Sequence, residues 1–294
     1  LNDEIHEVEL VYAGQDVEIT EAETGFYNER QKVKVSIQKA LEQDELFGLG
    51  MNGEIQHVAW GLYAAEALTA ADGSIIPADG LLEIASCDEN GKTVFKTDVP
   101  VGAKLYIKEY ATDSHYLISD EKFPVEFSYQ DQETAVVHIS VNNGEAIENK
   151  LIRGNIYGLK VNEDGDAVAE SVFGLFRLNE TEFSKENALM ISTSNKAGEF
   201  TFLDIPCGDW IIKELSCLPQ YVLSGELFKI TVSEQDQRIE IKAINKWITG
   251  SVQTVKVNRD DPDSKLSDAL FGIYLDVNGN KVYDEGIDIF VDHL

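Results

Sequence analysis

An asparagine followed eleven positions later by a lysine on an alternating, strand-like run occurs three times in this chain. The copies are Asn245 to Lys256 (NKWITGSVQTVK), Asn149 to Lys160 (NKLIRGNIYGLK) and, more loosely, Asn28 to Lys39 (NERQKVKVSIQK). Recurrence of one junction marks a tandem array, in which the same supersecondary unit is built again. The junction keeps its length while the segments between junctions do not: 110 positions separate Lys39 from Asn149 and 85 separate Lys160 from Asn245. Something fixes the junction and spares the loops.

The 294 residues accommodate two or three domains of roughly 100 to 150 residues each, in agreement with the junction count. The junctions divide the chain into 1–30, the closing strands of a preceding repeat; 31–152 and 153–249, two full domains; and 250–294, the opening part of a third. The chain starts at Leu1 with no initiator Met, signal peptide or sorting tail, and is expected to be a piece of something longer. With 24 basic against 53 acidic residues the net charge is −29. This argues against nucleic acid or an anionic membrane as partner, since both require a basic surface. No apolar run approaches the roughly 20 residues that span a bilayer, so membrane insertion is not expected of these residues. Three cysteines give no disulfide framework. Cys207 and Cys217 flank a strand whose length, at about 3.3 Å per residue, holds them farther apart than a bridge allows, and free thiols are expected throughout.

Along the chain, VKVSIQK at 33–39 alternates so that Val33, Val35, Ile37 and Lys39 share one face, which aims a lysine at the core. Lys34 lies nearby as a competing candidate. AWGLYA at 59–64, VFGLFR at 172–177 and LFGIYL at 270–275 repeat an aromatic, a glycine, an aliphatic and an aromatic; the glycine predicts a bulge or a close backbone approach. Turns follow at Asp88–Gly91 and Asn195–Gly198. The closest match is KLYIKEYATDSHYLIS at 104–119 against DWIIKELSCLPQYVLS at 209–224, where each glutamate precedes a tyrosine by seven residues and a serine by ten. Two alternating strands close each unit. Thr181 to Met190 has room for one or two helical turns, and nothing else carries a helical period. Short strands with turn signals every 8 to 12 residues predict an all-β chain of tandem antiparallel, Ig-like β-sandwiches arranged as a rod.

These elements together resemble the Cna B-type or SpaA-type domains, the prealbumin-like sandwiches that build stalks of Gram-positive surface adhesins and pilins. The matching features are the lysine on the first strand, the aromatic-Gly-aliphatic-aromatic strand, the turn, the glutamate of IKE and the asparagine before the exit, in order and twice. The resemblance implies intramolecular isopeptide bonds from Lys39 to Asn149 with Glu109 as catalyst, and from Lys160 to Asn245 with Glu214. It leaves Asn28 and Lys256 as unpaired equivalents. The residue types suit the chemistry. A lysine is nucleophilic only when neutral, which burial favours. A carboxyl buried beside it in neutral form can donate to the asparagine carbonyl and then shuttle protons as ammonia departs. Alone, each residue has an ordinary explanation: a snorkelling lysine, an exposed glutamate, a turn-forming asparagine. Their repeated combination is what carries the reading.

Asp276, Asn278, Asn280 and Asp284 place oxygens at alternate positions, as calcium loops do. Position twelve of that run is Ile287, though, and Lys281 lies inside it, so an Asn/Gly turn is the preferred reading. The five histidines (6, 57, 115, 138 and 293) show no ligand spacing, and no cofactor is expected. The function implied is a structural stalk segment of an extracellular, wall-associated protein, with neighbouring repeats of the same chain as partners. Its only catalysis would be on itself, because no nucleophile-base pair, phosphate loop or metal cluster points to an external substrate. The alternative is a module that binds a host protein or glycan through the inserted loop Leu46 to His57 and exposed aromatics.

Overall fold

The computed structural model describes residues 30–294 apart from Ala71. The predicted closing strands at 1–30, and with them Asn28, lie almost wholly outside the described residues. The chain divides into one compact unit ending at Trp247 and a second, Ile248–Leu294. The described part of the first unit consists of two β-sandwiches. Strands account for nearly all of its regular structure, with short 3-10 turns at Glu54–His57 and Val141–Gly144.

In the first sandwich the entry strand, Lys32–Leu41, buries Val33, Val35, Ile37 and Lys39 and turns Lys34 outward. Period-2 patterning of a half-buried strand produces this division, and it leaves Lys39 as the lysine in the core. The entry strand pairs antiparallel with Lys92–Phe95 and parallel with the exit segments Val136–Ser140 and Ile147–Asn149. The facing sheet runs Leu81–Ser86, Ala59–Ala64, Lys104–Ala111 and Lys122–Glu126, all antiparallel. Trp60, Leu62, Phe95, Leu105, Ile107 and Phe127 fill the space between the sheets.

The second sandwich repeats the plan. Its entry strand, Arg153–Asn162, lies between Glu199–Pro206 and a continuous exit strand, Gln237–Trp247, which again runs parallel to it. The facing sheet is Met190–Thr193, Val172–Arg177, Gly208–Ser216 and Leu227–Val232. The sandwiches are thus antiparallel except where the entry strand runs beside the exit segments, two in the first sandwich and one in the second. That exception places the residue where the chain enters beside the one where it leaves. In the first sandwich the exit is interrupted: Asn142 and Asn143 adopt φ of 54° and 53°, conformations that asparagine tolerates better than most residues, and the register resumes at Ile147.

Two local expectations change. No helix forms over Thr181 to Met190. Ser184 and Asn187 bond to nearby backbone groups there, and such local bonds compete with helix formation. The motif glycines admit a ring rather than a backbone: a Cβ on Gly61 would lie 2.5 Å from the Tyr63 ring, and one on Gly174 2.6 Å from that of Phe176. Bulges do occur in these strands, at Leu62/Tyr63 and Val172/Phe173. In the second unit Gly272–Leu275 pairs with Ile289–His293. Among the described residues no helix is long and apolar enough to cross a membrane.

Candidate functional site

Lys39 pairs in register with Ile147, and Leu41 with Asn149. Lys160 likewise pairs with Ala243, and Asn162 with Asn245. In both sandwiches, therefore, lysine and asparagine sit diagonally on adjacent parallel strands, two residues apart and on the same inward face. The glutamate comes from the opposite sheet, where Glu109 lies across from Trp60 and Glu214 across from Phe173. All six side-chain positions are buried.

In the first sandwich Lys39 Nζ donates to Asn149 Oδ1 at 2.5 Å and stands 3.1 Å from Glu109 Oε1. The same Oε1 accepts from Asn149 Nδ2 at 2.7 Å. In the second, Lys160 Nζ is 3.1 Å from Glu214 Oε1, which accepts from Asn245 Nδ2 at 3.0 Å. The approach of Lys160 has ion-pair distance without a directed hydrogen bond, and Asn245 Oδ1 has no partner. One carboxylate oxygen thus touches both nitrogens of the prospective exchange. It meets the amide nitrogen of the asparagine, whereas the sequence reading aimed it at the carbonyl. Burial pushes both lysines below the ordinary ammonium value, against the opposing pull of Glu109 and Glu214.

The repeated spacings acquire physical reasons. The other glutamate oxygen, Oε2, accepts from the backbone N–H ten residues on, Ser119 at 2.7 Å and Ser224 at 3.0 Å. Each serine hydroxyl in turn accepts from the N–H two residues later, Glu121 or Glu226. The tyrosine seven residues after each glutamate pins the chain just past the asparagine: Tyr116 bridges to Leu151, and Tyr221 pairs with Trp247. The turn glycines Gly91 and Gly198 sit at φ +77° and +78°, and their carbonyls accept from Lys39 N and Lys160 N at 2.8 and 2.7 Å. A Cβ at either would lie 2.2 Å from the lysine carbonyl oxygen. Trp60 and Phe173, the first aromatics of the repeated motif, wall the amines at 5.1 and 5.9 Å. Sequence reading noted these residues without assigning them to the site.

A family model described as SpaA, prealbumin-like fold domain, matches residues 154–247. The match covers the second sandwich from its entry strand to its exit strand. Among solved structures the chain is similar to the Bacillus anthracis TIE protein, with 21% identity over 76% of this chain and a TM-score of 0.55. The chain spans 37% of the length of that protein, and the likeness is one of fold. Looser matches include GBS52, the minor pilin of Streptococcus agalactiae (17% identity, 75% of this chain and 99% of that one, TM-score 0.32). Another is a C-terminal fragment of the pilus adhesin SpaC from Lactobacillus rhamnosus GG (8%, 76% and 100%, TM-score 0.43). These two superpose too loosely to add to it. No curated protein matches the chain.

The second sandwich also receives the inserted loop of the preceding one. Phe47 lies in the domain's hydrophobic core with its ring 4.9 Å from Trp210, edge to face, and Leu49 packs beside it. Arg177 donates to Leu46 O, while Arg153 donates to Glu42 and Asp44 at 2.9 and 3.0 Å. The loop is thus anchored at Phe47 and Leu49, while Leu46, Met51 and His57 stay exposed. Close by, Asp113 accepts from two imidazoles, those of His57 (2.7 Å) and His115 (2.6 Å), residues that linear spacing did not connect.

Lys256 is exposed on an irregular segment. In the Asp276–Asp284 loop the carboxylates are taken up by local donors. Asn278 and Asn280 both donate to Asp284, and the N–H groups of Asn280 and Lys281 to Asp276. Asp288, thirteenth in the run, caps the N–H groups of Val277 and Asp284. Cys87, Cys207 and Cys217 are free thiols.

Proposed function

We propose that this chain is a load-bearing segment of a Gram-positive surface protein of pilin or adhesin type, closed in each sandwich by a self-formed Lys–Asn isopeptide bond. The observation that carries the reading is the shared carboxylate oxygen. Glu109 Oε1 and Glu214 Oε1 each stand within 3.1 Å of a lysine nitrogen and within hydrogen-bond reach of an asparagine amide nitrogen. From that position one group takes a proton from the attacking amine and delivers it to the departing nitrogen. The neutral lysine adds to the asparagine carbonyl carbon, the C–Nδ2 bond breaks, ammonia leaves and an amide remains. The product suits a dry core better than the ions it replaces.

The SpaA match of residues 154–247 supports the structural reading, and so does the parallel pairing of entry and exit strands. A bond between those strands passes tension from one end of a domain to the other without loading the rest of the sandwich. The role is extracellular, at the cell surface or wall, with neighbouring domains of the parent chain as immediate partners and catalysis confined to the chain itself. Tryptic mapping tests it: cross-linked peptides joining Lys39 to Asn149 and Lys160 to Asn245 are expected. Recovery of all four residues in linear peptides contradicts it.

A further inference from the structure

The two sites differ at the residue three past the glutamate, and that difference falls on the leaving group. Asn149 Nδ2 has two N–H bonds: one goes to Glu109 Oε1, the other to Thr112 Oγ1 at 3.0 Å. With both held, the amide plane is fixed and its carbonyl oxygen faces Lys39 Nζ. Thr112 is the first residue past the glutamate strand Lys104–Ala111, three after Glu109. The corresponding residue of the second sandwich, three after Glu214, is Cys217, whose thiol turns to Tyr221 O at 3.6 Å. There Asn245 Nδ2 donates only to Glu214, its carbonyl oxygen is unpartnered, and Lys160 Nζ makes no directed hydrogen bond.

Resting on the cross-linking reading above, we propose that Thr112 is a further catalytic residue of the first site, one that the second site lacks. When Lys39 Nζ adds to the asparagine carbonyl carbon, Nδ2 changes from planar to pyramidal and gains a lone pair that must receive the proton shed by Nζ. Thr112 Oγ1 keeps one Nδ2–H bond fixed through this change, so that the nitrogen pivots about it, turning its other N–H off Glu109 Oε1 and bringing the new lone pair to that oxygen, the proton carrier. The proton passes from Nζ to Oε1 to Nδ2, the C–N bond breaks, and ammonia leaves with its two original hydrogens and one from the lysine. The hydroxyl supplies no atom to the product. Geometry set before reaction lowers the barrier because less has to be ordered on the way to it.

The test is a time course of cell-free synthesis in which each bond is quantified separately by peptide mapping, so that the second site serves as internal reference within one chain. Thr112→Val, which keeps the shape and removes the hydroxyl, should slow closure of Lys39–Asn149 roughly tenfold, the worth of one hydrogen bond at the reacting group. Thr112→Ser should restore it, and closure of Lys160–Asn245 should be unchanged in both. Cys217→Thr should speed the second site. Wild-type closure at the first site in Thr112→Val, or no gain in Cys217→Thr, overturns the role of the hydroxyl and leaves the cross-linking reading standing. Absence of both bonds from the wild-type chain overturns that reading and this one together.

Discussion

Glu214 Oε1 and Lys160 Nζ stand 3.1 Å apart, the same distance that separates Glu109 Oε1 from Lys39 Nζ. In each case the carboxylate reaches the amine from the facing sheet, across a core that buries both groups. Such a contact is costly to desolvate, and the two sites reproduce it within sandwiches whose loops differ in length.

Glu214→Gln keeps the volume of the side chain and removes its ability to carry a proton. The second bond should not close in this variant, while circular dichroism remains that of a folded β protein and the first bond closes as in wild type. Mass analysis of the separated tryptic peptides reads the outcome directly. Closure at Lys160 in Glu214→Gln means that another group moves the proton.

Lys160→Ala removes the second bond from the nucleophile side. A bridge across the 85 positions from Lys160 to Asn245 contributes on the order of 4 kcal/mol on the loop-entropy model. Removing an unbonded buried lysine would offset part of any loss by relieving its desolvation. A clear fall in melting temperature, with faster proteolysis within 153–249, is therefore expected. Equal melting and equal protease resistance speak against a protective bond.

The pH dependence has a definite sign. Burial holds Lys39 and Lys160 below their ordinary value of 10.5, and the neutral amine is the nucleophile. Closure should quicken as pH rises through the depressed value and level off once the amines are neutral. Before closure, the unfolded chain binds more protons than the native one between the depressed value and 10.5, so stability rises with pH across that window. After closure neither nitrogen titrates, and this dependence disappears. Closure rates across a pH series from acid to mildly alkaline conditions check the first statement; a rate that falls as pH rises is inconsistent with amine attack.

The core of each site was legible in the sequence for a definite reason. Strand alternation put Lys39 in phase with Val33, Val35 and Ile37, and the repeated Glu-Tyr-Ser spacing marked a conformation before its cause was visible. That cause is a serine turn whose N–H holds the second carboxylate oxygen, a contact that spacing alone does not reveal. Thr112, Trp60 and Phe173 escaped assignment because their roles depend on pairing across strands. The helical turn expected over Thr181–Met190 gave way to side-chain bonds from Ser184 and Asn187, which linear periodicity does not weigh. Phe47 belongs to the inserted loop Leu46 to His57, which in sequence offers only a candidate ligand contact. Nothing local to residues 46–57 announces that its ring meets Trp210, more than 160 positions away.

That contact yields its own expectation. Phe47→Ala should cost up to about 3 kcal/mol, at the low end for a buried aromatic, because the ring is carried by a loop. The loss should appear as faster cleavage within residues 42–58 and as new motion between the two sandwiches in solution scattering, with both bonds still closed. Unchanged cleavage and scattering mean that the loop does not brace the junction.

The most direct measurement is the intact mass of the purified wild-type chain under denaturing conditions. Two isopeptide bonds lower it by two molecules of ammonia relative to the mass calculated from sequence. An unshifted mass contradicts cross-linking at both sites.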